Sequence, residues 1–410
     1  MNAQVSFLDT TLSLVHIPLP LYSALLQPIL KVLLPDSQHQ NQPPNPSSAT
    51  HSKHPFINIS VTPLECSIVC PTAWAHTLFD QQQQQPRQQP GPSGTSQAGI
   101  SISQDTYLAL CVTSASTSAG SRVADLTSPL ARAAIPIFFI TTYYADFILV
   151  PTRDRPAVEQ TLLAGGFAFA EGGGADETAL LVSSGRGPAG TGIGAGSAAE
   201  GELLLLEEGR RTFELLRKSR VVPYVEAGLR LVQCSGRERS AFLVREGWRS
   251  TRGRGGGGSG GGRGTAAAGG STAGGGSAET ACWVDTVDAK LYTSVVSALV
   301  SQPRFLSITL AQEDPPSLLM DRELLGMFGD SVVGPTEGAL VPIFLDLADL
   351  PFEATGIVSG VAGRLVKEMR MEEDSELSYL STARAGAVIL SWEDSVRALA
   401  VLRPLLTEDG

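Results

Sequence analysis

Charge is what this chain has least of. Asp, Glu, Lys and Arg make up 17% of its 410 residues, and 41 acidic side chains outnumber 30 basic ones for a formal net charge of -11. Sequence-independent binding of nucleic acid needs a basic stripe to neutralise phosphates. The chain has none, so no nucleic-acid partner is expected. Its densest basic cluster, Arg210, Arg211, Arg217, Lys218 and Arg220, is interleaved with Glu207, Glu208 and Glu214 and reads as a solvated helix face. Cysteine is rare and odd in number. Cys66, Cys70, Cys111, Cys234 and Cys282 are scattered, four of them in apolar company, which suits free buried thiols rather than a disulfide framework. Histidine is equally scarce. His39, His51 and His54 fall in or beside a polar stretch, and His54 has no metal-ligand spacing with Cys66 or Cys70. No metal and no cofactor is expected. Long apolar runs are missing too: Ile135 to Val150 is broken by Thr141, Thr142 and Asp146, too short and too polar to span a bilayer. No charged leader precedes an apolar core at the N-terminus. The expectation is a cytoplasmic protein without a membrane span.

Glycine (43) and proline (26) are abundant by contrast, and the glycines are unevenly placed. They gather between Gly165 and Gly201 and between Gly255 and Gly276, where no side chains are available to build a core. Gln81 to Gly99 has linker composition as well. Between these stretches one pattern recurs. Val5 to Ile17 reads as a strand and Tyr22 to Leu34 as a helix with Pro28 inside it. Phe56 to Thr62 then alternates, placing Ile57, Ile59 and Val61 on one face, and Leu64, Cys66, Ile68 and Cys70 continue in period two. The second unit has Tyr107 to Val112, a helix over Arg122 to Ala134, a hairpin from Ile135 to Val150 and a helix over Arg155 to Leu163. The third opens on Cys282 to Val284 and the fourth on Leu340 to Asp346; a strong helix over Phe352 to Met369 follows in the fourth.

Boundaries follow from this order: units over 4–80, 105–165, 280–333 and 338–407, a low-complexity linker over 81–104, and a mostly disordered insert over 166–279. The insert holds a helix near 202–220 and possible strands in 221–244. Four β-α-β-β-α units give an α+β fold with the helices on one face of antiparallel sheet. The alternative is two larger α+β domains.

Catalytic chemistry has little to stand on. The glycines of 185–196 are followed by Ser197, Ala198, Ala199 and Glu200, without the lysine of a phosphate loop. The pairs Asp285/Asp288 and Asp346/Asp349 sit where helix caps belong. Thr141-Thr142 and Ser381-Thr382 lack a His or Asp partner. No enzyme is expected. An internal echo is more informative: the hairpin of 135–150 aligns with 375–390, placing Ile140-Thr141-Thr142 over Leu380-Ser381-Thr382 and Asp146 over Gly386. Matching hairpins suit a pseudo-twofold interface, and clefts between units are preferred small-molecule sites.

Thr142-Tyr143 with Asp146 to Val150, after a helix ending Pro129-Leu130-Ala131, carries a family resemblance. Leu33-Leu34-Pro35, Phe352-Glu353, Gly356-Ile357-Val358, Ala362-Gly363 and Leu380-Ser381-Thr382 add to it. Over most of 4–163 and 280–406 the chain resembles the CASTOR family of ACT-domain cytosolic arginine sensors for the TOR complex. The resemblance implies four ACT-like modules (ferredoxin-like β-α-β-β-α-β) arranged as two pairs, and an amino-acid ligand between modules two and four. The implied pocket comprises Pro136, Ile137, Pro351, Ala354, Thr355, Gly356, Ile357, Thr382, Ala383 and Gly386. Implied partners are a free amino acid, a protein of GATOR type and a second copy of the chain. The chain departs from the family at Ala354 and Gly386, where the family carries acids, at Pro136 in place of a serine, and at Ala383 in place of an aromatic. Without those acids a guanidinium lacks charge-assisted acceptors, so arginine is disfavoured; Arg384 and Thr382 suit a carboxylate-bearing or neutral ligand. A ligand-independent ACT scaffold is the alternative reading.

Overall fold

The computed structural model describes residues 3–34, 54–83, 99–114, 119–169, 209–237, 288–312, 314–351, 353–371 and 376–407. The expected strand at Cys282 to Val284 and most of the expected linker lie outside these residues. Among the described residues sixteen strands form one sheet. They are β1 (Ala3–Phe7), β2 (Leu12–Ile17), β3 (His54–Val61), β4 (Cys66–Pro71), β5 (Ser101–Ile102), β6 (Tyr107–Ser114), β7 (Phe138–Thr141) and β8 (Asp146–Pro151), then β9 (Ala168–Phe169), β10 (Leu231–Gly236), β11 (Leu306–Gln312), β12 (Ser317–Asp321), β13 (Val332–Val333), β14 (Leu340–Asp346), β15 (Ser378–Ser381) and β16 (Ala385–Ser391). The helices are α1 (Leu19–Tyr22), α2 (Leu26–Leu33), α3 (Thr72–Gln83), α4 (Ala119–Arg132), α5 (Arg155–Ala164), α6 (209–218), α7 (Ala289–Val300), α8 (Leu325–Phe328), α9 (Ile357–Met369) and α10 (Trp392–Leu406).

Twelve of the strands close into a ring, β2-β4-β3-β11-β12-β10-β14-β16-β15-β7-β8-β6, with β6 returning to β2 through Leu12 and Tyr107. Each of the four units supplies three of them, in the spatial order first, third, second. Alternation along the strands sorts the side chains. Phe147 and Leu149 point into the ring beside Phe56, Phe305 and Phe344, whereas Ile148 and Val150 point out beneath helices. Ile57, Ile59 and Val61 share one face with Cys66, Ile68 and Cys70, as their period predicts.

Expectation and structure part at four places. Val5 to Ile17 is two strands, because the chain bends at Asp9 and Thr10; β1 then pairs with β6 of the second unit rather than staying with the first. The first strand of the third unit is β10, from the segment expected as insert, and it pairs with β12 from Leu231/Asp321 to Ser235/Ser317. The helix expected from Phe352 starts at Ile357, since Gly356 before it takes a left-handed φ of +77°. Most consequentially, the halves on either side of the glycine-rich segment are not separate bodies. Within each half the ring is joined by a single registered pair, Leu12 with Tyr107 and Leu231 with Leu340. Across the halves β3 pairs with β11 from Val61/Leu306 to His54/Gln312, and β15 meets β7 at Leu380/Ile140. The outer cores follow the same division: one unites the helices of units 1 and 3, the other those of units 2 and 4. Taken alone, each unit would leave its second strand as an edge, and burying that edge without a partner would strand its amide and carbonyl groups.

The helix expected near 202–220 is seen over 209–218. Thr212, Phe213 and Leu216 are buried against units 2 and 4, while Arg210, Arg211, Arg217 and Lys218 are exposed. Gly360 lets α6 approach α9: a Cβ there would stand 2.8 Å from the Thr212 hydroxyl oxygen.

Candidate functional site

Three hairpins share a turn built by one threonine. Thr62, Thr142 and Thr382 each donate a backbone N–H to the carbonyl three residues on, at 2.9, 3.0 and 2.9 Å. The Thr62 and Thr142 hydroxyl oxygens also accept from amides within the turn. In unit 4 this turn forms the wall of a cavity of about 260 Å³ facing unit 2. Seven of the ten residues implied from sequence line it: Ile137, Pro351, Ala354, Gly356, Ile357, Thr382 and Ala383. Pro136 and Thr355 are neighbours of lining residues without lining it themselves. Gly386 lies instead beneath Tyr379: a Cβ on Gly386 would run into the Tyr379 hydroxyl.

Polar groups from several elements border this cavity. Gly356 places the start of α9 there, with no side chain capping the helix. The Gly356 carbonyl itself is occupied, accepting from the Thr212 and Ser359 hydroxyls. Arg384 is the single charged residue of the lining, and its guanidinium has no partner among the described residues. Tyr379 also lines the cavity; it is 1% exposed, and its hydroxyl, packed against Gly386, has no partner among the described residues. Burial raises that phenol well above the usual tyrosine range. Glu353, next to Ala354, is exposed and lies 4.0 Å from Arg153.

The turn is held from its other side by unit 1. Glu65, 1% exposed, accepts from the Thr382 hydroxyl at 2.5 Å and from the Arg384 amide at 2.7 Å, and its second carboxylate oxygen contacts His16 Nδ1. The Ser67 hydroxyl accepts from the Ala383 amide at 3.0 Å. Sequence reading missed Glu65, His16 and Tyr379. For Glu65, and for the His16 it contacts, no local pattern could signal a partner 317 residues away; for Tyr379 the signal was a tyrosine on a strand diagonally opposite a glycine. The remaining acidic expectations separate cleanly. Asp288 caps α7 by accepting from the Leu291 amide at 3.0 Å, Asp346 accepts from the Ala348 amide at 3.0 Å, and Asp285 lies outside the described residues.

Asp146 stands in unit 2 where Gly386 stands in unit 4, opposite Thr141 as Gly386 is opposite Ser381. It is buried, with an Arg122 guanidinium nitrogen at 2.5 Å. Burial pushes its carboxyl pKa up, against the downward pull of Arg122 and of the Thr141 hydroxyl. The folded protein therefore takes up this proton more readily than the unfolded chain. That contribution to stability is present below the ordinary carboxylate range and is lost as pH rises through the raised value. Asp146→Asn is expected to flatten the pH dependence of the urea midpoint across this window; an unchanged slope would contradict the assignment.

Among known proteins, the ACT domain model matches residues 102–164, from β5 through α5. No curated protein matches the chain. A structural-genomics protein of Agrobacterium tumefaciens is similar in structure at 15% identity over 42% of this chain and 93% of that one, with a TM-score of 0.25. The aspartate kinase of Synechocystis aligns at 10% identity over 99% of this chain with a TM-score of 0.30, and the present chain spans 56% of its length. The ACT domain match falls on the second unit of the ring, which supplies Ile137 and Phe138 to the cavity.

Proposed function

We propose that this protein is a non-enzymatic regulator that binds a small amino-acid ligand between its second and fourth units. ACT domains commonly bind amino acids in regulation. The observation that carries the reading is the meeting of two donors at one cavity: the start of α9, which has no side-chain cap, and the Arg384 guanidinium, which has no partner among the described residues. Donors without a facing carboxylate select a ligand through its own carboxylate and leave a guanidinium or ammonium unmatched. A neutral or acidic amino acid fits better than arginine. On this reading the four units are ACT-type modules paired one with three and two with four. The resemblance to the CASTOR family extends it to nutrient signalling to the TOR complex in the cytoplasm, with a partner of GATOR type and self-association; that extension rests on the resemblance alone.

Isothermal titration of the full chain with the twenty amino acids tests the proposal. Binding of an acidic or neutral amino acid is expected, weakened about tenfold by Arg384→Gln. Tyr379→Phe separates binding from folding. Removing a buried hydroxyl that has no partner among the described residues is expected to stabilise the free protein by about 1 kcal/mol and to leave the ligand's affinity within about twofold. Flat titrations throughout would sink the reading in favour of a ligand-independent scaffold.

A further inference from the structure

A second cavity, of about 270 Å³, lies between the first and third units. Its construction repeats the first. β3 ends at Val61 and turns at Thr62 beside the start of β11, where Leu306 faces Val61, and Gln302, Pro303 and Arg304 lead into that strand. In the other pair β15 ends and turns at Thr382 beside the start of β7, and Ile137 and Phe138 lead in. The first helix of one unit closes each cavity, through Leu19 and Tyr22 here and through the start of α9 there. Antiparallel pairing of second strands thus builds the same hollow twice.

The chemistry of the two hollows is opposite. Three donors at or beside the second hollow are already engaged. Leu21 already donates its amide to the Pro18 carbonyl at 2.8 Å, and Pro20 has no amide hydrogen. The Tyr22 hydroxyl donates to the Leu299 carbonyl at 2.7 Å. Arg304 is held by Asp321 at 2.9 Å and by Glu323 at 3.3 Å. The charged group left over is an acceptor: Glu226 lines the cavity half-buried, and its carboxylate has no hydrogen-bond or ion-pair partner among the described residues. Leu19, Val61 and Pro63 supply an apolar wall.

We infer that this cavity is a second ligand site, which takes a small organic cation. An alkylammonium or guanidinium head would meet Glu226, and its methylene stem would lie along Leu19, Val61 and Pro63. The inference does not rest on occupancy of the first cavity, so the two readings can fail separately.

The probe is agmatine, which carries two cationic ends and no carboxylate, titrated into the full chain by calorimetry. One-to-one binding is expected, weakened at least about tenfold by Glu226→Gln and changed less than about twofold by Arg384→Gln. Leu19→Trp, which fills the cavity from α1, is expected to abolish the heat and guards against a folding defect in the first variant. Far-UV circular dichroism and thermal unfolding check both. Glutarate, an anion without a cationic group, is expected to leave Glu226→Gln and wild type alike. No heat from agmatine, an affinity untouched by Glu226→Gln, or an equal loss in Arg384→Gln would each overturn the inference.

Discussion

Glu65→Ala is expected to lower the free energy of unfolding by about 3–5 kcal/mol, because it removes one member of a buried, hydrogen-bonded ionisable pair. Glu65 is the point where the first unit grips the fourth. Its carboxylate takes the Thr382 hydroxyl and the Arg384 amide and contacts His16, all inside the ring. Alanine would leave those donors facing a void, and each orphaned buried group costs about 1–3 kcal/mol. Glu65→Gln keeps an acceptor in the same place and should lose much less. Urea unfolding of the three proteins measures this; a loss below about 1 kcal/mol for alanine would show that the turn is held by its backbone alone. Because Thr382 and Arg384 also line the first cavity, Glu65→Ala should weaken its ligand beyond the loss seen in Glu65→Gln.

Gly386→Ala is expected to destabilise the protein by about 1–3 kcal/mol, through overpacking, although alanine ordinarily suits a strand better than glycine. The added Cβ would overlap the Tyr379 hydroxyl oxygen and stand 3.2 Å from the ring carbon that bears it. Tyr379 is fully enclosed and cannot swing aside. Tyr379→Phe removes the nearer atom, so the double variant should recover most of the loss. A coupling of about 1 kcal/mol or more in the double-mutant cycle is the expected result, and additivity within about 0.5 kcal/mol would refute the contact. The same geometry explains why no acid stands at this position: the space that an aspartate side chain in place of Gly386 would need is occupied by the tyrosine.

Much of the local structure was legible. The alternation of Ile57, Ile59 and Val61 named a buried face, Ile357, Val361 and Leu365 recur every four residues along α9, and Asp288 announced the cap of α7. The echo between the hairpins at 135–150 and 375–390 marked two elements that do meet, at Ile140 and Leu380. The site was legible where it is made of chain segments, since Ile137, Gly356 and Thr382 line one cavity. It was not legible where it depends on single side chains reaching in from elsewhere. Glu65 follows a proline turn and looks like a surface residue until the ring closes over it.

Composition and periodicity by themselves determined the mixed α and β content, the recurring strand-helix order, the glycine-rich interruptions and the scarcity of catalytic groups, because each is a property of neighbours in the chain. Which unit lies beside which was decided only in three dimensions. Strand edges are matched by backbone amides and carbonyls that every residue carries alike, so the sequence holds little record of β3 choosing β11 or β7 choosing β15. The charge character of the two cavities follows from that choice. Hydrogen bonds formed on closure occupy Tyr22 and Glu65 and leave Arg384 and Glu226 without partners among the described residues, and those two charges define what each hollow can hold.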